Sequence, residues 1–206
     1  MTHPSYWTSD KILKLRDLYE SGLSMREVGQ NLNKSTRAIV SAMKRNHINR
    51  RHASETRSYQ FVKSPLSYHV KAKLSTKNKQ LKTAGLMLYL GEGAKSPNGQ
   101  VNFTNSDPET VVLFLKFLRT IYNPQESRLR CRLYSFSNQN IDNVIEYWSK
   151  ITQIPISQFN KPYISKPKTQ KHVKITHGVC HIVYSDKRLL TQILNDIKTL
   201  AQYLMS

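Results

Sequence analysis

Apolar residues between positions 7 and 51 recur in three short blocks at the spacing that lines one face of an α-helix. Ile12, Leu15 and Leu18 form the first block behind the capping residues Thr8 and Ser9, and Gly22 stands where a helix ends. Ser24 caps the second block. Glu27 follows it three residues on, as in a capping box, with Val28 and Leu32 facing inward. After the turn NLNKS, Ser35 caps a third helix whose buried stripe is Ile39, Ala42 and Met43. Its other face carries Thr36, Arg37, Ser41, Lys44 and Arg45.

The texture changes at residue 83. TAGLMLYLGEGAK predicts an apolar helix ending in Gly-Glu-Gly, and QVNFTN alternates as a strand with Val101 and Phe103 on one side. SDPETVVLFLKFLRTIY opens a helix capped by Ser106 or Asp107, with Pro108 in the first turn, where its missing N–H costs nothing. RLRCRLYSFS alternates cleanly: Leu129, Cys131 and Leu133 point one way, Arg130, Arg132 and Tyr134 the other. NIDNVIEYWSKIT predicts an amphipathic helix, QFNKPYIS and KHVKITHGVCHIVYS two or three strands turning near Gly178, and the end of the chain a long helix. This order predicts an α+β fold with an antiparallel sheet. The expected organisation is a three-helix module over 1–51, a linker over 52–82 and an α+β domain over 83–206.

Charge narrows the choice of partner. The chain has 32 Lys and Arg against 13 Asp and Glu, a formal net charge of +19, so a polyanion is the natural ligand. No apolar run reaches the roughly 20 residues of a spanning helix, and MTHPSYWTSD lacks an apolar signal core, so we expect no membrane partner and a cytoplasmic, nucleoid-associated protein. Two cysteines exclude a disulfide framework. The group His172, His177, Cys180 and His181 matches no zinc spacing and reads as strand side chains. Positive charge is densest in residues 1–82. There the stretch 52–82 carries Lys63, Lys71, Lys73, Lys77, Lys79 and Lys82 beside a single acid, Glu55, and reads as a basic linker, either lying along a phosphate backbone or simply solvated.

The segment GLSMREVGQNLNKSTRAIVSAMKRNHI resembles the resolvase-like and homeodomain-like trihelical DNA-binding modules. The resemblance implies a third helix lying in the major groove of double-stranded DNA, with Thr36, Arg37, Ser41, Lys44 and Arg45 as the contact set. A helical bundle for protein contacts is the alternative. The basic, hydroxylated and acid-free face favours DNA.

A second resemblance lies further on. In AGLMLYLGEG, Ala84 and Gly85 form a small-residue patch, and Glu92 stands between Gly91 and Gly93. With VNFTNSDPETVVLFLKFL, this segment is similar to the LAGLIDADG homing endonucleases. The resemblance implies a saddle-shaped antiparallel sheet over DNA and, because one motif is present, a homodimer meeting at Ala84, Gly85 and Leu88. It also implies Glu92 as the catalytic acid and Mg²⁺ ligand, assisted at the phosphate by Lys171 and Lys174. Arg130, Arg132 and Tyr134 suit a DNA-facing sheet, or a solvated outer face, and Lys161 opens a basic run suited to phosphate. The expected function is a site-specific, Mg²⁺-dependent double-strand endonuclease. The alternative is a non-catalytic transcription regulator carrying a degenerate copy of the domain. A third class, a basic RNA-binding or structural protein, is disfavoured because the aromatic residues do not fall in an RRM-like stacking pattern.

Overall fold

Three short helices open the chain: α1 (Ser9–Glu20), α2 (Met25–Asn31) and α3 (Thr36–Arg45). The structure is a computed structural model that describes residues 6–96, 99–166 and 176–206. Serine hydroxyls start α2 and α3 as the spacing predicts. Glu27 N–H donates to Ser24 Oγ while Ser24 N–H donates to Glu27 Oε2 at 2.7 Å, and Ala38 N–H donates to Ser35 Oγ at 3.2 Å. Hydrogen bonding with Ser24 holds the Glu27 carboxyl below its ordinary range. Thr8 sits at the N-cap of α1, but its side chain makes no capping bond. Leu15, Tyr19, Val28, Leu32, Ile39, Ala42 and Met43 close a small core.

The stretch expected as a linker is structured. α4 (Ala53–Lys63) starts at His52, whose ring accepts from Ser54 N–H while its own backbone N–H donates to Glu55. None of its residues is buried, so hydrophobic periodicity carried no sign of it. The helix is held instead by polar and ring contacts. Lys63 Nζ donates to Ser21 O at 2.7 Å, and Tyr59 covers Gly22 and the Arg51 guanidinium. Residues 66–71 belong with the rest of the chain: His69 N–H donates to Tyr122 O and Lys71 N–H to Ile121 O, both at 2.9 Å. Contacts therefore divide the chain into Met1–Pro65 and Leu66–Ser206.

The second unit is α+β. Its elements are α5 (Thr76–Glu92), β1 (Val101–Asn105), α6 (Pro108–Phe117), β2 (Leu129–Phe136), α7 (Ile141–Thr152), β3 (Tyr163–Ser165), β4 (Val179–Tyr184) and α8 (Lys187–Met205). The sheet order is β1-β4-β2-β3. β4 pairs antiparallel with β1 and β2, but β3 runs parallel to β2, which corrects the antiparallel expectation to a mixed sheet. The cause is the connection: β2 is followed by α7, and a helical crossover returns the chain in the same direction. Val101, Phe103, Leu129, Cys131, Leu133, Cys180, Ile182 and Tyr184 form the inner face of the sheet, buried in one cluster with residues of all four helices.

Candidate nucleic-acid interface

The α2–α3 corner sets the geometry of the first unit's exposed surface. Residues 32–35 join the two helices, with Asn33 in the left-handed region at φ 51°. Lys34 N–H donates to Gly29 O at 2.8 Å, and a Cβ on Gly29 would lie 2.5 Å from the Lys34 carbonyl oxygen. A glycine in the middle of a helix costs about 1 kcal/mol. Here it lets the turn pass directly against α2 and fixes the direction in which α3 leaves.

Ile39, Ala42 and Met43 anchor α3 in the core, all at 0 % exposure. That burial turns two neighbouring rows outward: Thr36, Val40 and Lys44 in one, Arg37, Ser41 and Arg45 in the other. All five expected contact residues, Thr36, Arg37, Ser41, Lys44 and Arg45, are exposed, and no acid stands among them. The last turn of the helix holds Lys44 and Arg45, cations favourably placed at the negative end of the helix dipole.

Two supports of this surface were not legible in the sequence. Tyr6 donates from its hydroxyl to Leu32 O at 2.8 Å, and its ring carries the Lys11 and Lys34 ammonium groups at 3.8 and 3.7 Å. Arg51 N–H donates to the Tyr19 hydroxyl at 2.8 Å, its guanidinium donates to Leu23 O, and it lies over the Tyr19 ring at 4.1 Å. The segment that leaves α3 is thereby tied back onto α1. Each anchor pairs residues distant in sequence, and no local pattern announces it.

In the second unit, Arg130, Arg132 and Tyr134 lie on the outer face of β2, as alternation predicts. Arg130 is partly committed, since its Nη1 donates to Ser127 O and Leu129 O at 2.7 Å. Lys161 is exposed just before β3. Lys171 and Lys174 lie outside the described residues, as does His172. The remaining members of the considered zinc group are parted by the sheet: Cys180 is buried inward with its sulfur 3.3 Å from that of Cys131, His181 faces outward, and His177 stacks on Tyr147.

The AGLMLYLGEG segment differs from its expected role. Gly85 faces this chain's own core, because a Cβ there would fall 2.0 Å from Cγ of Phe117. The close approach expected between two copies is thus a contact within one chain. Ala84 is exposed and Leu88 half-buried on the helix surface. Gly93 lies against the Tyr89 ring, where an added methyl would come within 2.5 Å of Cδ2, so packing explains this glycine without reference to Glu92. Glu92 itself is an exposed side chain in the last turn of α5. Asp107 caps α6 by accepting from Thr110 N–H at 2.9 Å, and hydrogen bonds from Thr110 hold its carboxyl below the ordinary range. Among the described residues no group of three or more His, Cys, Asp or Glu side chains is placed to hold a metal ion.

The model of the GcrA cell cycle regulator family matches residues 5–102. No curated protein and no solved structure matches the chain. The matched region takes in the first unit and continues through α5, so AGLMLYLGEG falls inside a stretch similar to regulators. This corrects the LAGLIDADG resemblance and the endonuclease reading drawn from it, and the roles of Glu92, Lys171, Lys174 and Mg²⁺ that followed from that reading are not carried further. The match also replaces the likeness of the first unit to resolvase and homeodomain modules. Among the described residues, no helix is long and apolar enough to cross a membrane.

Proposed function

We propose that the chain is a DNA-binding transcription regulator in which α2, the 32–35 turn and α3 act as a helix-turn-helix, with α3 entering the major groove of double-stranded DNA. The observation that carries this reading is the outer face of α3. Thr36, Arg37, Ser41, Lys44 and Arg45 are all exposed on a helix whose opposite face is completely buried. An α-helix fits the major groove, Arg reads guanine edges in bidentate fashion, and Ser and Thr hydroxyls serve bases or phosphates. The similarity of residues 5–102 to cell cycle regulators supports the same direction, as does the net charge of +19.

Within this set, Arg37 and Thr36 lie in the first turn of α3, the part of a recognition helix that reaches base edges. Lys44 and Arg45 lie in its last turn and suit the flanking phosphates. Selection from a random-sequence duplex pool with the full chain, followed by gel shift at fixed salt, tests the proposal. A recovered consensus, bound at least about a hundredfold more tightly than scrambled duplex, is expected, since specific sites exceed non-specific ones by about 10³ or more in typical regulators. Recovery of no consensus, with all duplexes bound alike, would contradict it.

A further inference from the structure

Three rings from three different strands meet on the side of the sheet turned away from the helices. The ring of Tyr134 on β2 lies 4.4 Å from that of His181 on β4 and 5.3 Å from that of Tyr163 on β3, centroid to centroid. Register explains the row. Tyr134 stands directly opposite Tyr163, and Arg132 directly opposite His181. The Thr104 hydroxyl on β1 lies 2.8 Å from Nδ1 of His181 and fixes that ring.

Tyr163 is 59 % exposed and Tyr134 38 %, so broad ring surface is offered to solvent beside Arg132 and near Lys161. The outward positions Asn102, Thr104, Arg130, Arg132, Tyr134, Tyr163, Val179, His181 and Val183 include no acid. Burial and the neighbouring Arg132 hold His181 below its ordinary range.

We infer that this ring row binds the unpaired bases of a single-stranded nucleic acid, which stack on Tyr163 and Tyr134 while Arg132 and Lys161 meet the phosphates. A duplex keeps its base faces covered by neighbouring bases, so a ring row offering flat π-surface has nothing to stack on there. Unpaired bases expose those faces. Stacking of this kind is indifferent to base identity and is strengthened by adjacent cations. A peptide ligand would find aromatic surface here too, but Arg132 and Lys161, with no acid at the described outward strand positions, favour a polyanion. The inference is independent of the α3 reading, since no residue of the first unit takes part.

The test uses the full chain and fluorescein-labelled oligo(dT) and oligo(U) of about 15 nucleotides, the upper site size of a single-strand-binding fold, with a duplex of the same length as control, read by fluorescence anisotropy. The double variant Tyr134→Ala/Tyr163→Ala is expected to lose about tenfold or more in affinity for the single strands, and to keep its affinity for duplex. Tyr134→Phe/Tyr163→Phe retains the stacking surface and is expected to bind single strands as the unmodified protein does. Arg37→Ala/Lys44→Ala is expected to change duplex binding alone, so failure of the α3 reading and failure of this one are distinguishable. In case the alanine variant misfolds, photocross-linking of 4-thiouridine oligomers to the unmodified protein is expected to label the peptide containing Tyr163. Preference for oligo(U) over oligo(dT), or the reverse, identifies the source of the bases, and either supports the inference. Full single-strand affinity in a folded alanine variant, equal loss for duplex and single strands, or cross-links confined to the first unit would each overturn it.

Discussion

The two units place their candidate surfaces in opposite ways. In the first, the whole candidate contact set lies within one 10-residue helix, outward because its other side fills a small core. In the second, the outward face is assembled from four strands, and the rings that meet there sit at 134, 163 and 181. Among the described residues the first core holds seven buried side chains and the second twenty-four, so the two surfaces also rest on foundations of very different size. A buried Leu or Ile contributes roughly 1.5–3 kcal/mol, and the first unit is correspondingly expected to unfold the more easily of the two. A surface on one helix depends on a single corner; a surface on a sheet depends on register.

The largest expected effect separates the two foundations. Asp186, 1 % exposed, accepts from Ser67 Oγ at 2.6 Å and pairs with Arg188 at 3.0 Å, joining the start of the second unit to β4 and α8. Asp186→Ala should destabilise the second unit by about 3 kcal/mol, the low end for a buried pair because Arg188 keeps some access to water. Trp148 reports from the second unit and Trp7 from the first, so denaturation followed in single-tryptophan versions should shift at Trp148 alone. Although burial pushes the Asp186 carboxyl up, hydrogen bonds and charge from Arg188 together with the Ser67 hydroxyl hold it below the ordinary 3.8. Its contribution is therefore present above the unfolded value and lost as pH falls through the lower folded one. Acid unfolding at Trp148 should become shallower in Asp186→Asn.

Gly85→Ala comes next. The added methyl meets the Phe117 ring, and overpacking of about 1–3 kcal/mol is partly offset by the better helix propensity of alanine, about 1 kcal/mol. A net loss of up to about 2 kcal/mol at Trp148, with an unchanged molecular mass by light scattering, is the expected result. A change of mass without loss of stability would return Gly85 to an interface between copies.

Gly29→Ala probes the corner instead. The methyl would press on the Lys34 carbonyl, so about 1 kcal/mol should be lost at Trp7, and duplex affinity should fall because α3 leaves α2 at a changed angle. Trp148 should not respond.

Legibility followed the same division. Ser24, Glu27 and Ser35 announced the starts of α2 and α3, and the inward Ile39, Ala42 and Met43 determined which residues of α3 face out, because a helix repeats within a few residues. Alternation likewise separated Leu129, Cys131 and Leu133 from Arg130, Arg132 and Tyr134. What alternation cannot carry is which strands are neighbours, so the parallel pairing of β3 and the meeting of Tyr134, Tyr163 and His181 were invisible until the sheet was assembled. α4 escaped because it buries nothing, although His52 and Glu55 stand at capping-box spacing. The small residues of AGLMLYLGEG misled for a related reason: a glycine marks a close approach but does not say to what, and at Gly85 the neighbour is Phe117 of the same chain.

Whether the α3 face is the duplex-binding surface is decided by titrating the selected duplex and a scrambled one with Arg37→Ala, Lys44→Ala and the double variant over a range of salt concentrations. Arg37→Ala should lower affinity for the selected duplex by about 1–3 kcal/mol and reduce its preference over the scrambled one. Lys44→Ala should weaken both duplexes alike and lower the salt slope by about one. Duplex affinity, preference and salt slope all unchanged in a folded double variant would place the duplex-binding surface elsewhere than on α3.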